Sequence, residues 1–572
     1  MTAHATDSQR RYSVEPCLRI FLIGIWLVIG LTTISQVQAA TTYYVNAGSG
    51  NDNNDGTSLA KAWRTITKAN SVVRPGDTVF IYSGRYREAI APERSGTAQM
   101  RISYRAAPGE TVVIESAEYL LKLRGKSYIT IEGMTFQDPI RGWGEIQDGD
   151  YNELMDNKFI GNGQSPGTAY AGLYIFDHSS YNRIINNEFQ NWGQVQTEWG
   201  DAITLSWYAD YNLIEGNQFI NAGHALLDIS TSYNVVRYNY FENAWQKGID
   251  LVWRVGPPWA PSENFVARRN VIEYNVFNRC RIAANRVKGG TAIQISAART
   301  IFRRNLLIEN EGGGITLNGW LPDAPKAYGS RIYHNTVAAN GFADDPKTCG
   351  VFVTQWGFTD INISNTVLKN NIFYRNAGER LQLLINLYPP TNYDAQYFRS
   401  FLIAGNCTTR ASIMDIRSLD GEQSFLYYQD HYPQFVRANL DADPQFANPA
   451  AGDYRLMSGS PCVDAALPLT YTTSAGSGQI VSVADASYFS DGYNLAPGDQ
   501  VKVGANPAVR VIRVDYTNNT LTLAQSIHWM SGDSIYGGEF NGSGPDIGAF
   551  EAGGAPRSTL TSEPFIPVSY SR

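Results

Sequence analysis

The sequence predicts an all-β fold, a solenoid of parallel β-strands wound into stacked coils, with a small β module near its C-terminus. The first observation is a repeat in which Asn stands two residues before a position that is usually Phe, at steps of 22 to 36 residues. Such a period is typical of solenoids. The second is the alternation of apolar residues ahead of each repeat, as in Ala-Ile-Thr-Leu at 202–205, which favours strands over helices. The repeats begin at Asn157, Asn187, Asn217, Asn239, Asn275, Asn305, Asn335, Asn371 and, in a degenerate form, Asn406.

Composition agrees with this fold. Charged residues make up 17% of the 572 residues, below the usual quarter, while Gly (52) and Tyr (34) are plentiful. The repeated Asn side chains are expected to form an amide ladder inside a turn, a structural rather than a catalytic role. Steps such as Tyr151-Asn152 and Tyr181-Asn182 are expected to be turns as well, because Asn tolerates left-handed backbone. The Phe positions are expected to point inward and stack from coil to coil.

The N-terminus resembles a targeting segment. Arg10, Arg11 and Arg19 precede an apolar run at 20–34, and Val37-Gln38-Ala39 offers small residues for cleavage. This pattern predicts a secretory signal peptide over residues 1–39, with an uncleaved membrane anchor as the alternative. The mature protein is therefore expected to be secreted, extracellular or periplasmic, without stable insertion in a membrane.

Charge and cysteine content limit the possible partners. Removal of residues 1–39 takes away three basic and two acidic residues and leaves 43 basic and 51 acidic ones, a net charge of −8. Because this net charge is negative, nucleic acid is not an expected partner. The chain is also expected to act as a monomer. Four cysteines remain, as buried thiols or as disulfides with three possible pairings: Cys280, Cys349, Cys407 and Cys462.

The mature chain divides into four regions. Residues 40–115 are expected to form an N-terminal cap and first coil, with a helix around Trp63–Val73 that covers the open end of the solenoid. Residues 116–470 are the parallel β-helix, and residues 471–540 are a small inserted β module. Residues 541–572 are the closing segment and a flexible tail.

Both ends of the mature chain resemble a known family. Tyr43-Tyr-Val-Asn46 and Pro75-Gly-Asp-Thr-Val79 are similar to the N-terminal cap of secreted right-handed parallel β-helix proteins of the pectate-lyase-like superfamily. Leu456–Pro461 and Gly544–Glu551 resemble the closing segments of the same proteins. The resemblance implies a right-handed parallel β-helix. It does not imply one activity, because the superfamily includes lyases, hydrolases, epimerases and non-catalytic surface proteins.

Alignment of the strand before each repeat predicts a column of outward-facing side chains. Asp228 and Asp250 stand 22 residues apart, one short coil, so they are expected to face each other across about 5 Å. Two carboxylates so close require a proton or a cation between them, and a register slip of one residue would separate them. The column runs through Tyr174, Thr204, Asp228, Asp250, Gln294, Thr316 and Phe352.

A second column lies just upstream of the same strands. Asp201, His224 and Lys247 follow one another at steps of 23 residues, so they should line one edge of the sheet. Arg254 follows on the same coil as Lys247, and Lys288 opens the next coil. Carboxylate oxygens are the ligands that Ca²⁺ prefers, and a possible calcium site is predicted from Asp201, Asp228 and Asp250.

Tryptophans are concentrated near these columns. Eight of the 12 Trp residues fall between positions 192 and 356, and Trp207, Trp253 and Trp259 are expected in loops beside the charged residues. A flat apolar ring with one polar edge suits the C–H face of a sugar. Substrate binding is therefore predicted for these three residues together with Arg254 and Lys288, and the predicted partner is a polysaccharide.

Two chemistries fit these residues. The favoured one is β-elimination on a uronic-acid polysaccharide, in which a base removes the C5 proton after the substrate carboxylate is neutralised. His224 or Lys247 is the predicted base, and the catalytic group includes Asp228 and Asp250.

The second is glycoside hydrolysis by paired carboxylates. Gly200-Asp201 and Gly223-His224 resemble strands of β-helix polygalacturonases, but Ala171–Tyr174 and Gly248–Val252 depart from that pattern. A third possibility is a non-catalytic glycan-binding surface or matrix protein.

Overall fold

The protein is described by a computed structural model. The described residues are 39–163, 171–193, 200–255, 264–282, 289–319, 328–341, 348–355, 363–377, 381–386, 400–409, 413–417, 419–538 and 540–553. In the short hairpin 253–255 and 264–266, and at 319, 354, 355 and 386, the description covers the backbone only.

Three long sheets run the length of the solenoid, and each coil contributes one strand to each sheet. Neighbouring strands are parallel, apart from the final pair of the third sheet. This arrangement confirms the predicted parallel β-helix.

The first sheet has 14 strands: Thr42–Val45, Thr78–Ile81, Ile102–Ala106, Ile129–Glu132, Glu153–Met155, Arg183–Ile185, Leu213–Glu215, Val235–Arg237, Val271–Glu273, Ile301–Arg303, Arg331–Tyr333, Val367–Lys369, Leu402–Ala404 and Val436–Arg437. The second has 13 strands: Gly84–Tyr86, Val112–Glu115, Thr135–Gln137, Lys158–Ile160, Glu188–Trp192, Gln218–Ala222, Tyr240–Ala244, Val276–Asn278, Leu306–Ile308, Thr336–Ala338, Ile372–Tyr374, Cys407–Thr408 and Leu440–Asp441. The third has 12 strands: Tyr119–Arg124, Gly142–Gln147, Ala171–Phe176, Asp201–Leu205, Ala225–Ile229, Lys247–Leu251, Thr291–Ile295, Gly313–Gly319, Val351–Gln355, Leu381–Asn386, Ile413–Ile416 and Gly421–Ser424.

Smaller elements complete the fold. Two hairpins pair Trp253–Val255 with Asn264–Val266 and Phe446–Asn448 with Asp453–Leu456. The α-helices are Ile66–Val72 and Phe425–His431, and the 3₁₀ helices are Leu59–Lys61, Pro449–Ala451, Ala486–Tyr488 and Gly492–Asn494. Within the described residues, no helix has the length and apolar character needed to cross a membrane.

A stack of phenylalanines fills the core, as the repeat predicts. The successive ring centroids lie 4.7 to 5.0 Å apart, with the planes within 8° of parallel. This spacing matches the separation of neighbouring strands, so one ring per coil fills the interior continuously. The stacked residues are Phe159, Phe189, Phe219, Phe241 and Phe277, all fully buried.

The repeated asparagines form the predicted amide ladder. Asn275 is typical: its Nδ2 donates to the carbonyl of Val236 at 3.0 Å and to Oδ1 of Asn305 at 3.0 Å. Its Oδ1 accepts from the backbone N–H of Asn239 at 2.9 Å. Because the ladder satisfies buried backbone and side-chain groups together, it fixes the turn between the first and second sheets.

The Tyr-Asn steps are turns, but for a different reason from the one expected. Tyr151, Tyr181 and Tyr211 adopt the left-handed conformation (φ 57° to 59°), and the following Asn does not. Asn152 and Asn182 are instead buried in a second amide ladder, where the N–H of Asn152 donates to Oδ1 of Asn182 at 2.9 Å. Neighbouring Tyr rings stack at 5.0 and 5.4 Å, and this contact offsets the cost of the left-handed backbone.

The predicted terminal elements are present. The helix Ile66–Val72 caps the N-terminal end, with Thr65 accepting from the N–H of Lys68. The C-terminal module is a six-stranded antiparallel sheet that packs against the outer face of the first sheet. Its strands are Thr470–Tyr471, Gly476–Ser482, Gln500–Val503, Val509–Asp515, Thr520–Trp529 and Ser534–Gly537.

All four described cysteines are buried free thiols.

Candidate functional site

The third sheet carries the predicted column in the predicted register. Thr204 pairs with Asp228, Asp228 with Asp250, and Asp250 with Gln294. The column begins at Tyr174 and continues through Thr316 to Phe352. Register partners in a parallel sheet point to the same face, so Asp228 and Asp250 lie side by side on neighbouring coils. Each is only 2% exposed.

The second column is also assembled. His224 precedes the strand Ala225–Ile229, and Lys247 begins the next strand, directly beside Ala225. The Nδ1 atom of His224 lies 2.8 Å from Oδ1 of Asp201. The ammonium of Lys247 lies 3.5 Å from the other ring nitrogen, Nε2. The steps of 23 residues therefore produce direct contacts between side chains.

Asp201 is a fully buried carboxylate held by several donors. Its Oδ1 also accepts from the N–H of Ala225 at 3.1 Å, and its Oδ2 accepts from the hydroxyl of Thr204 at 3.0 Å. An ionised carboxylate only accepts hydrogen bonds, so the proton between the two residues belongs to Nδ1 of His224. In the neutral ring, Nε2 then has a lone pair.

Asp250 holds Lys247 in place. The ammonium of Lys247 donates to Oδ2 of Asp250 at 2.5 Å, and the side-chain amide of Gln294 donates to Oδ1 at 2.9 Å. Oδ2 also lies 3.8 Å from Nε2 of His224. His224 and Lys247 are 17% and 14% exposed at their side chains, so both reach solvent while their partners are buried.

The sequence predicted a role for neither Thr204 nor Gln294. Gln294 connects the site to the next coils, because its Oε1 accepts from Asn318 at 3.0 Å, which in turn accepts from Ser296. Their place in the aligned column was the available signal. Neutral side chains at such positions do not by themselves indicate a chemical role.

One group of side chains has the geometry of a cation site. Asp201, His224 and Asp228 each offer one ligand atom, and these atoms all lie within 4.8 Å of one another. Two oxygens and one imidazole nitrogen suit Mn²⁺, Fe²⁺ or Zn²⁺, whereas Ca²⁺ takes six to eight oxygens. Asp250 is engaged by Lys247 and Gln294, and its Oδ2 lies 3.8 Å from Nε2 of His224. The calcium site predicted from Asp201, Asp228 and Asp250 stays a prediction.

Four of the predicted substrate-binding side chains lie outside the described part of the chain. Trp259 and Lys288 lie outside the described residues, and the side chains of Trp253 and Arg254 do as well. Trp207 is half-buried, with its ring centroid 6.0 Å from that of Tyr174 and 6.1 Å from that of Phe176. It stands beside the column, as expected.

One tryptophan of the predicted cluster belongs to the core. Trp192 is 1% exposed, and its ring centroid lies 4.8 Å from that of Trp143. It therefore packs inside the solenoid. Position along the sequence did not show this, because Trp192 ends a strand of the second sheet, at Glu188–Trp192, with its side chain inward.

A known family model matches the N-terminal third of the chain. Residues 43–223 match the family model described as "Pel9A-like, right handed beta helix region". The uncharacterized protein YwoF of Bacillus subtilis (strain 168) is 33% identical over 114 residues, which cover 18% of this chain and 24% of that protein. The chain thus matches about a quarter of this curated relative's length.

Three solved structures illustrate the structural similarity. The alginate lyase from Paenibacillus sp. str. FPU-7 is 17% identical and covers 57% of this chain and 99% of its own, with a TM-score of 0.37. Pectate lyase Pel9A is 15% identical over 90% of this chain and 98% of its own, with a TM-score of 0.41. A mannuronic acid specific polysaccharide family 6 lyase from human gut microbiota is 13% identical over 70% and 91%, with a TM-score of 0.45.

Proposed function

We propose that this chain is a polysaccharide lyase, a proposal supported by the match of residues 43–223 to the Pel9A-like right-handed β-helix model. Its substrate is an acidic glycan that contains uronic acid, and it cleaves by β-elimination. The observation that carries the proposal is the pairing of His224 with Asp201 on one side and Lys247 on the other, at 2.8 and 3.5 Å. Secretion, directed by residues 1–39, belongs to the same proposal.

His224 is the base. Asp201 holds Nδ1 and fixes both the tautomer and the orientation of the ring, which leaves the lone pair of Nε2 for a proton from substrate. In the reaction, Nε2 takes the proton from C5 of the uronate, a double bond forms between C4 and C5, and the C4–O glycosidic bond breaks. The departing oxygen keeps the electron pair of that bond and takes a proton from solvent water.

Lys247 supplies positive charge to the reacting carboxylate. Removal of the C5 proton places negative charge on the uronate carboxyl group, and a fixed ammonium nearby stabilises that charge. The 2.5 Å ion pair with Asp250 orients the ammonium. This pairing favours His224 as the base and Lys247 as the cation, whereas the sequence alone offered either residue as the base.

Asp201, Thr204 and Gln294 are positioning residues. Thr204 donates to Asp201, which holds His224, and Gln294 donates to Asp250, which holds Lys247. Both supports are buried, so the two reactive groups are held by hydrogen bonds that water does not disturb.

A hydrolase is the second candidate, favoured by the register pair Asp228 and Asp250. Two neighbouring carboxylates are what a glycoside hydrolase uses. The engagement of Asp250 by Lys247 and Gln294 weighs against it. A glycan-binding surface protein without activity is the third.

The test is an assay of the purified mature chain on pectate, alginate and glycosaminoglycans. Elimination produces an unsaturated sugar end that absorbs in the ultraviolet, and hydrolysis produces a reducing end without that absorbance. Each substrate is assayed with Ca²⁺ and with a chelator. Loss of activity with the chelator would establish a need for metal, and equal activity in both would assign the charge stabilisation to Lys247.

A further inference from the structure

A polar cavity lies away from the third sheet. It occupies the corner between the first and second sheets, where the C-terminal module and the closing segment 544–551 cover the solenoid. Its volume is about 470 Å³, within the range of small-molecule sites. Four arginines line it, namely Arg237, Arg303, Arg304 and Arg455.

Two adjacent arginines in this cavity differ in their bonding. Arg303 is saturated: it donates to both oxygens of Asp499, to Glu273 at 2.8 Å and to the hydroxyl of Tyr333 at 2.8 Å. It joins the module to the solenoid. Arg304 is equally buried, 8% exposed, yet its contacts are long. Among the described residues, it donates to the carbonyl of Gly537 at 3.3 Å and to Glu551 at 3.4 Å.

A buried guanidinium with five N–H groups and two long bonds has unused donor capacity. Burial makes a charged group costly unless it is paired, and a bidentate carboxylate is the partner that best matches its planar geometry. Arg304 therefore has the chemistry of a carboxylate-binding residue.

The cavity wall also offers features for a sugar ring. The Oε1 atom of Gln500 is buried and has no hydrogen-bond donor among the described residues, so it can accept from a hydroxyl group. Tyr238 and Tyr274 form a stacked pair, with centroids 5.2 Å apart, along the same wall. Aromatic surface, a spare acceptor and a spare guanidinium together suit a small acidic saccharide.

We propose that this cavity is an accessory site for a single uronate sugar or a short oligouronide, with its carboxylate on Arg304 and a hydroxyl on Gln500. The choice of sugar rests on the proposed function, whereas the carboxylate recognition follows from the cavity alone. The site lies on the opposite side of the solenoid from His224 and Lys247. It would hold an end of the glycan and keep the enzyme on the polymer.

The experiment is calorimetric titration of the full mature chain with D-galacturonate, D-glucuronate and, as a neutral control, D-glucose. At least one uronate is expected to bind and glucose is not. Arg304→Gln should weaken uronate binding about tenfold or more, as expected for the loss of a charged hydrogen bond. Arg64→Gln, a matched change at an exposed arginine of the N-terminal cap, should leave this binding unchanged because it touches neither site.

A second variant keeps the proposal testable if Arg304→Gln does not fold. Glu551→Gln removes the internal carboxylate that shares Arg304, and uronate binding should tighten by about fivefold.

Absence of uronate binding, equal binding of glucose, loss of binding in Arg64→Gln or unchanged affinity in Glu551→Gln would each overturn the proposal. Uronate binding that depends on Arg304 in a chain without elimination activity would support the cavity and refute the lyase.

Discussion

Nδ1 of His224 lies 2.8 Å from Oδ1 of Asp201, although 23 residues separate the two in the chain. The contact exists because one coil of the solenoid returns the chain to a position beside its starting point. The same step brings Lys247 to His224. Short repeats thus build a buried Asp, a half-buried His and a paired Lys into one row, and the proposed chemistry depends on that row.

The role of His224 is tested by His224→Ala. Loss of a general base should lower kcat/KM on a uronate polymer by about 10²- to 10⁴-fold. His178→Ala is the matched control, because His178 is exposed and stacks on Tyr208 beside the same sheet, and it should keep full activity. Circular dichroism should show both variants folded. Equal activity in both would assign the base elsewhere.

The role of Asp250 is tested by Asp250→Asn. The change keeps the shape but removes the charge that holds Lys247, so the ammonium should lose its fixed position. We expect kcat to fall at least about tenfold with a smaller change in KM, since the interaction acts mainly in the transition state. Steady-state kinetics measures the two constants separately. A rise in KM at unchanged kcat would show that Asp250 serves binding only.

The asparagine ladder is tested by Asn275→Ala. The variant removes the bonds to Val236 and Asn305 and leaves the N–H of Asn239 without its acceptor. Each buried polar group left unpaired costs roughly 1–3 kcal/mol, so the free energy of unfolding should fall by about 2–4 kcal/mol. Asn518→Ala, on an exposed turn, should cost less than about 1 kcal/mol. Urea unfolding measures both.

Glu551 predicts a pH dependence of stability. Burial raises its pKa from 4.5 to about 7, with Asp546 adding to the shift and Arg304 opposing it. Folding therefore favours the protonated acid. This contribution is fully present below pH 4.5 and is lost as pH rises through about 7. Its size is on the order of 3 kcal/mol at most.

The measurement is urea unfolding at several pH values between 4.5 and 8. Stability of the native chain should fall over this interval relative to that of Glu551→Gln, which has no proton to lose at this position. Parallel pH curves for the two proteins would contradict the assignment.

The fold was predictable because each coil repeats the same pattern of inward-facing and turn residues. Phe189 and Phe219 occupy equivalent inward positions, and the Asn before each satisfies the same turn, so period and composition together specify the stack. The registers of Asp228 and Asp250 follow from that period. What the sequence did not show was which residue of each Tyr-Asn step takes the left-handed backbone, since stacking of the Tyr rings across coils decides it.

The candidate site was predictable in position and less so in its bonding. Steps of 23 residues placed Asp201, His224 and Lys247 in one row. The choice of hydrogen-bond partners is less predictable. Asp250 binds Lys247 and Asp201 binds His224, and both contacts depend on side-chain rotamers and on neutral neighbours such as Gln294. Trp192 entered the core for a similar reason, because strand pairing set its direction.

The most direct test of the central claim is ultraviolet absorbance during incubation with pectate, alginate and glycosaminoglycans. The native chain should produce the absorbance of an unsaturated sugar end on at least one polyuronate, and His224→Ala and Lys247→Ala should abolish it. New reducing ends without absorbance, no product on any substrate, or full activity in both variants would contradict the account.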